Sequence, residues 1–144
     1  MEVPGLGMSI ERENDNLMDS KPRFYRLCII FGSILLLLMA GFHGSGLGFV
    51  SDAIKESDAS GFLKDIVPVL FLHPSIHLTG LAVLGLLPLF MNQEGRKVLW
   101  VLTVLILIDS GLAFFLGAIL PGILLTIAAI TFLFAGVLIQ PKSE

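Results

Sequence analysis

Long stretches of this sequence lack charged residues, and this feature limits the possible folds more than any other. Between residues 27 and 50 the only ionisable side chains are those of Cys28 and His43, and between residues 98 and 139 Asp109 is the only acidic or basic residue. A helix of about 20 apolar residues is long enough to cross the hydrocarbon layer of a bilayer. The long apolar stretches therefore predict transmembrane helices.

Composition agrees with this interpretation. The chain has 144 residues, one domain's worth, of which 55% are hydrophobic and 15% charged, whereas about a quarter of the residues in soluble domains are charged. The mean hydropathy is +0.90. We predict an all-α membrane protein whose fold is an antiparallel four-helix transmembrane bundle.

The chain divides into a polar tail, a four-span domain and a short second tail. Residues 1–22 are polar and aperiodic, which predicts a disordered cytoplasmic tail. The transmembrane domain covers residues 23–140, and residues 141–144 form a short cytoplasmic tail. The four spans are predicted at about residues 25–46, 66–91, 98–118 and 122–139.

The connections between these spans differ in length and composition. Residues 41–48 contain four glycines, typical of a helix end entering a loop, and residues 50–65 form the longest polar connection. Two interpretations of the second span stay open: a helix from about Ile66 that bends near His73, which we favour, or a main helix that begins at Pro74. Residues 92–97 predict a short polar turn and residues 120–122 a tight one.

The lysines and arginines predict the orientation. Seven of the nine fall on the side that holds both termini and the middle loop, and only Lys55 and Lys64 fall on the other side. Cytoplasmic segments are enriched in these residues. The prediction is a protein integral to a plasma or bacterial inner membrane, with both termini in the cytoplasm.

Four ionisable residues form the candidate polar site: His43, His73, His77 and Asp109. With this topology all four fall in the outer half of the bundle, and Asp109 lies roughly 13 Å from the outer end of its span. A carboxylate at such a depth is costly and usually pairs inside the bundle. Asp109 is therefore expected to bind one of the histidines or Thr79, as a structural bond, or to take part in a proton-linked or ligand site. An unpaired, exposed carboxylate is the third alternative.

His73 and His77 are also weak candidates for metal ligands. Their spacing of four residues places both imidazoles on one helix face, but Pro74 lies between them. A metal site needs further ligands, and no metal-binding motif is present. We therefore assign no metal and no particular cofactor.

The sequence favours one functional class and leaves two alternatives open. A chain of this length without a catalytic motif favours an accessory or structural subunit over an enzyme. The alternatives are a proton-linked, small-ligand or redox-cofactor site in the outer half of the bundle, and a small transporter that acts as an oligomer. The expected partners are the lipid bilayer and a membrane protein or a second copy. No basic cluster indicates nucleic acid.

Overall fold

The computed structural model describes residues 6–91 and 94–139, with side chains from residue 23 onward. Every regular element in this part of the chain is helical, which confirms the all-α class. The elements are α1 (Leu6–Ser45), α2 (Leu47–Glu56), α3 (Gly61–Leu86) followed by a 3₁₀ turn (Leu87–Phe90), α4 (Gly95–Phe115) and α5 (Ile119–Leu138).

Four helical stretches are long and apolar enough to cross a bilayer: Arg23–Glu56, Gly61–Phe90, Gly95–Phe115 and Ile119–Leu138. Helix α1 begins at Leu6, so residues 6–22 of the predicted tail form part of it. Residues 1–5, residues 92 and 93 of the predicted turn, and the predicted tail at 141–144 lie outside the described residues.

The glycine-rich stretch does not lead into a long loop. Helix α1 ends at Ser45, and α2 begins after Gly46, so the connection to α3 is only residues 57–60. A β-carbon at Gly44 would lie 3.3 Å from Ser75 Oγ, and one at Gly46 would lie 3.1 Å from Phe71 Cζ. Because larger side chains would crowd α3 here, the close packing compensates for the weak helix propensity of glycine.

Helix α3 is continuous through its prolines. It begins at Gly61, five residues before the predicted start, and contains both Pro68 and Pro74. The alternative in which the main helix begins at Pro74 is therefore wrong. Proline within such a helix is tolerated where neighbouring helices support the interrupted backbone, and α1 and α2 both pack against α3.

The turn between α4 and α5 lies four residues earlier than predicted, at residues 116–118. Helix α4 ends at Phe115, and Gly117 has a φ of +76°, a conformation that glycine adopts without steric cost. Helix α5 begins at Ile119 and has Pro121 in its first turn, where proline costs no helical hydrogen bond. The prediction of a turn at residues 120–122 is wrong, because these residues form the first turn of α5.

The helices pack unequally. Helix α1 packs against both α3 and α5, and α4 packs mainly against α5, whereas α3 and α4 contact each other only sparsely. The side chain of Phe132 is fully buried between Gly32 of α1 and Gly85 of α3. The Tyr25 hydroxyl donates to the carbonyl oxygen of Pro88 over 2.7 Å, which joins α1 to the 3₁₀ turn after α3.

Candidate functional site

His77 of α3 and Asp109 of α4 form a polar pair across the sparse contact between their helices. His77 Nε2 lies 3.2 Å from Asp109 Oδ2. Because an ionised carboxylate can only accept, Nε2 carries the proton and donates it. The side chains are 42% and 24% exposed respectively, so the pair is open on one side. It is the one contact between a basic side chain and a carboxylate that joins different helices in the described part of the chain.

His77 and Asp109 lie at similar distances from the connection between α3 and α4. Asp109 lies fourteen residues after the start of α4, about 21 Å at 1.5 Å per residue. From His77 to the end of the 3₁₀ turn the chain rises by roughly 22 Å. Asp109 lies six residues before Phe115, about 9 Å from the end of α4. The predicted depth of 13 Å was too large because α4 ends earlier than expected.

His73 lies beside this pair. Its ring centroid is 6.4 Å from that of His77, and the two ring planes differ by 15°. The regular helix through Pro74 therefore keeps both imidazoles on one face. Among the described residues, no group of three or more histidine, cysteine, aspartate or glutamate side chains could hold a metal ion.

His43 has a different partner. Its Nε2 lies 2.9 Å from the carbonyl oxygen of Phe71, and its ring stacks on the Phe71 ring with centroids 4.4 Å apart. Since a carbonyl oxygen only accepts, His43 donates from Nε2. This histidine therefore ties α1 to α3, and the structure does not bring it into the pair with Asp109.

The burial pattern of α3 shows why His73 and His77 remain exposed to the outside of the bundle. Ser75, Leu78, Leu81, Ala82 and Gly85 are buried on its opposite face. His73, His77, Gly80 and Leu84 are all exposed, and their spacing of i, i+4, i+7 and i+11 forms one stripe along the helix. We call this stripe together with Asp109 the α3–α4 seam.

A second polar contact was missed by the sequence reasoning. Ser110 Oγ lies 2.9 Å from the carbonyl oxygen of Gly122 and 2.8 Å from Thr126 Oγ1. The sequence indicated Ser110 only as a small residue that allows close packing. A hydroxyl in an apolar helix gives no local signal of its partner, and this contact lies on the α5 side of α4, next to Asp109 in sequence but facing another helix.

Comparison with protein-family models, curated proteins and solved structures found no match to this chain. The geometry of the α3–α4 seam is therefore the basis for the function that follows.

Proposed function

We propose that this chain is an integral membrane protein with four antiparallel spans. The four stretches of suitable length and apolarity support membrane insertion. The order of contacts along the helices supports the antiparallel arrangement. Tyr25, near the start of the Arg23–Glu56 stretch, bonds to Pro88 near the end of the Gly61–Phe90 stretch, whereas His43, farther along α1, bonds to Phe71 in the first half of α3. Ser110, late in α4, likewise contacts Gly122, early in α5.

The proposed orientation has both termini in the cytoplasm of a plasma or bacterial inner membrane, as the lysine and arginine distribution favours. A reporter fused after Glu144 is expected to be active only in the cytoplasm. The same reporter inserted at Ser57, between α2 and α3, is expected to be active only outside. An external C-terminus would contradict the proposed orientation.

The proposed role is that of an accessory subunit that binds a partner helix at the α3–α4 seam. Most large side chains exposed on the four spans are apolar, such as Val101, Ile130 and Phe134, and suit contact with lipid. Away from the helix ends, the partly exposed pair of His77 and Asp109, with the exposed His73 beside it, departs from this pattern. Polar groups open to hydrocarbon are costly, and they commonly hydrogen-bond to neighbouring helices. This open pair is the observation that carries the proposal.

Photo-cross-linking in native membranes tests this role. Leu84 in the seam and Ile130 on α5 are each 44% exposed, so they form a matched pair of positions. A photoreactive residue at position 84 is expected to give one discrete adduct, and the same residue at position 130 is expected to give none. Asp109→Leu should reduce the adduct at position 84 several-fold.

The mass of the adduct separates the possible partners. A heterologous protein at position 84 supports the accessory role, whereas an adduct of twice the chain mass of 15.6 kDa would indicate self-association instead. Equal cross-linking at both positions, or none at either, would contradict a specific contact at the seam.

A proton-linked or small-ligand site is the second candidate, because His73, His77 and Asp109 form a continuous row of ionisable side chains. Proteoliposomes provide the test. If this candidate is correct, the wild-type protein should carry protons across the vesicle membrane and His77→Gln should abolish the flux. Equal proton flux for the wild-type protein, the His77→Gln variant and empty vesicles would contradict a proton-linked site.

A further inference from the structure

The charge balance around Asp109 is incomplete within the described chain. The lysines and arginines with described side chains lie in three places. Arg23 and Arg26 flank Tyr25, which bonds to Pro88 beyond the end of α3. Lys55 and Lys64 lie beside the α2–α3 connection, and Arg96 and Lys97 lie in the first turn of α4. On α4 the nearest is Lys97, twelve residues from Asp109, about 18 Å along the axis. That distance exceeds the reach of a lysine side chain. Asp109 therefore has a hydrogen-bond donor in His77 but no lysine or arginine beside it, and an imidazole does not carry a permanent positive charge.

The carboxylate has unused acceptor capacity. An ionised carboxylate has two oxygens with about four acceptor positions, and the described contact uses Oδ2 with the single donor His77 Nε2. The Asp109 side chain remains 24% exposed on the open side of the seam. A further donor approaching from outside the bundle can therefore reach it.

The backbone of α3 is also accessible close to His77. Gly80 is exposed on the α3 stripe, three residues after His77, and a β-carbon there would meet nothing within 4 Å. In contrast, a β-carbon at the buried Gly85 would lie 2.7 Å from Phe132 Cζ. Exposed glycine allows another helix to approach the backbone closely. The seam thus combines an open helix face with an uncompensated carboxylate.

Resting on the proposed accessory role, we propose that the α3–α4 seam binds a transmembrane helix that carries an arginine or lysine at the depth of Asp109. A guanidinium or ammonium group would supply both the missing charge and additional donors. A second copy of this chain has histidine and hydroxyl donors but no permanent cation at this depth, because residues 27–54, 66–95 and 98–139 contain no lysine or arginine. Charge complementarity therefore favours a different protein.

Defined helices test this proposal without knowledge of the natural partner. The full-length protein, with a donor fluorophore at its C-terminus, is reconstituted into phosphatidylcholine vesicles. The probes are synthetic single-span peptides of leucine and alanine that carry an acceptor fluorophore. They differ at one position, about 9 Å below one end of the apolar segment, which holds arginine, glutamine or leucine. Association is measured by energy transfer after equal peptide incorporation has been verified.

The arginine peptide is expected to associate about tenfold more tightly than the leucine peptide, which corresponds to about 1.4 kcal/mol. Asp109→Asn should reduce the association of the arginine peptide to that of the glutamine peptide, since the substitution removes the charge and keeps a hydrogen-bonding group. Gly80→Leu should weaken all association because it blocks the helix face. Unchanged circular dichroism of both variants serves as the folding control.

The outcomes distinguish this inference from the accessory role. If the arginine and leucine peptides bind equally and Gly80→Leu blocks both, the partner helix does not need an arginine or lysine. The seam would then still be a helix-binding face. Failure of every peptide to bind would overturn both. Asp109-dependent energy transfer between two copies of the protein that the arginine peptide cannot displace would assign the seam to self-association.

Discussion

The packing around Phe132 and the α3–α4 seam represent two different ways of joining helices. Around Phe132, glycines on α1 and α3 accept a fully buried aromatic ring from α5. Across the seam, two helices that pack sparsely are joined by one partly exposed hydrogen bond. Lipid tails are as apolar as leucine, so shape complementarity carries helix association in a bilayer. We therefore expect stability to depend on the first region and partner binding on the second.

Removal of the buried ring should have the largest effect on stability. Phe132→Ala is expected to lower the free energy of unfolding by about 3 kcal/mol, near the low end for buried aromatic residues, because detergent or lipid removes part of the transfer contribution while the cavity remains. Equilibrium unfolding in detergent micelles measures this change. Phe134→Ala is the control, since that side chain is 58% exposed; equal destabilisation by both would contradict the packing described here.

A methyl group added at two glycines of α3 should give opposite results. Gly85→Ala is expected to cost about 1–2 kcal/mol, because the new β-carbon would lie 2.7 Å from Phe132 Cζ. Gly80→Ala should be neutral or stabilising by up to about 1 kcal/mol, since the position is open and alanine favours helix. The same unfolding measurement applies. A loss at Gly80 equal to that at Gly85 would mean that the seam is already covered within the chain.

Among the destabilising changes, loss of the polar pair should cost the least stability. Asp109→Leu is expected to cost about 0.6 kcal/mol, the average of polar contacts between transmembrane helices, and Asp109→Asn should cost less. A double-mutant cycle with His77→Leu measures the coupling between the two side chains. Strictly additive effects would indicate that the pair contributes nothing to stability in the isolated protein.

Much of the candidate site could be predicted because its residues stand out locally. The scarcity of charge between residues 98 and 139 made Asp109 conspicuous, and the spacing of His73 and His77 indicated a shared helix face. The role of His43 could not be predicted. The sequence predicts His43 in the outer half of the bundle with the other residues, but position along a helix contains no information on which side of α1 the imidazole projects or which helix it meets.

The sequence by itself determined that the protein has four apolar helices and which few polar residues they carry, because hydropathy is a local property summed over about 20 residues. Only the tertiary structure decided that His77 rather than His43 meets Asp109, that Ser110 faces α5, and that Phe132 fits against Gly85. These pairings depend on helix order and on the rotation of each helix about its axis. In nearly uniform apolar segments no hydrophobic face marks that rotation, so close packing and a few hydrogen bonds determine it.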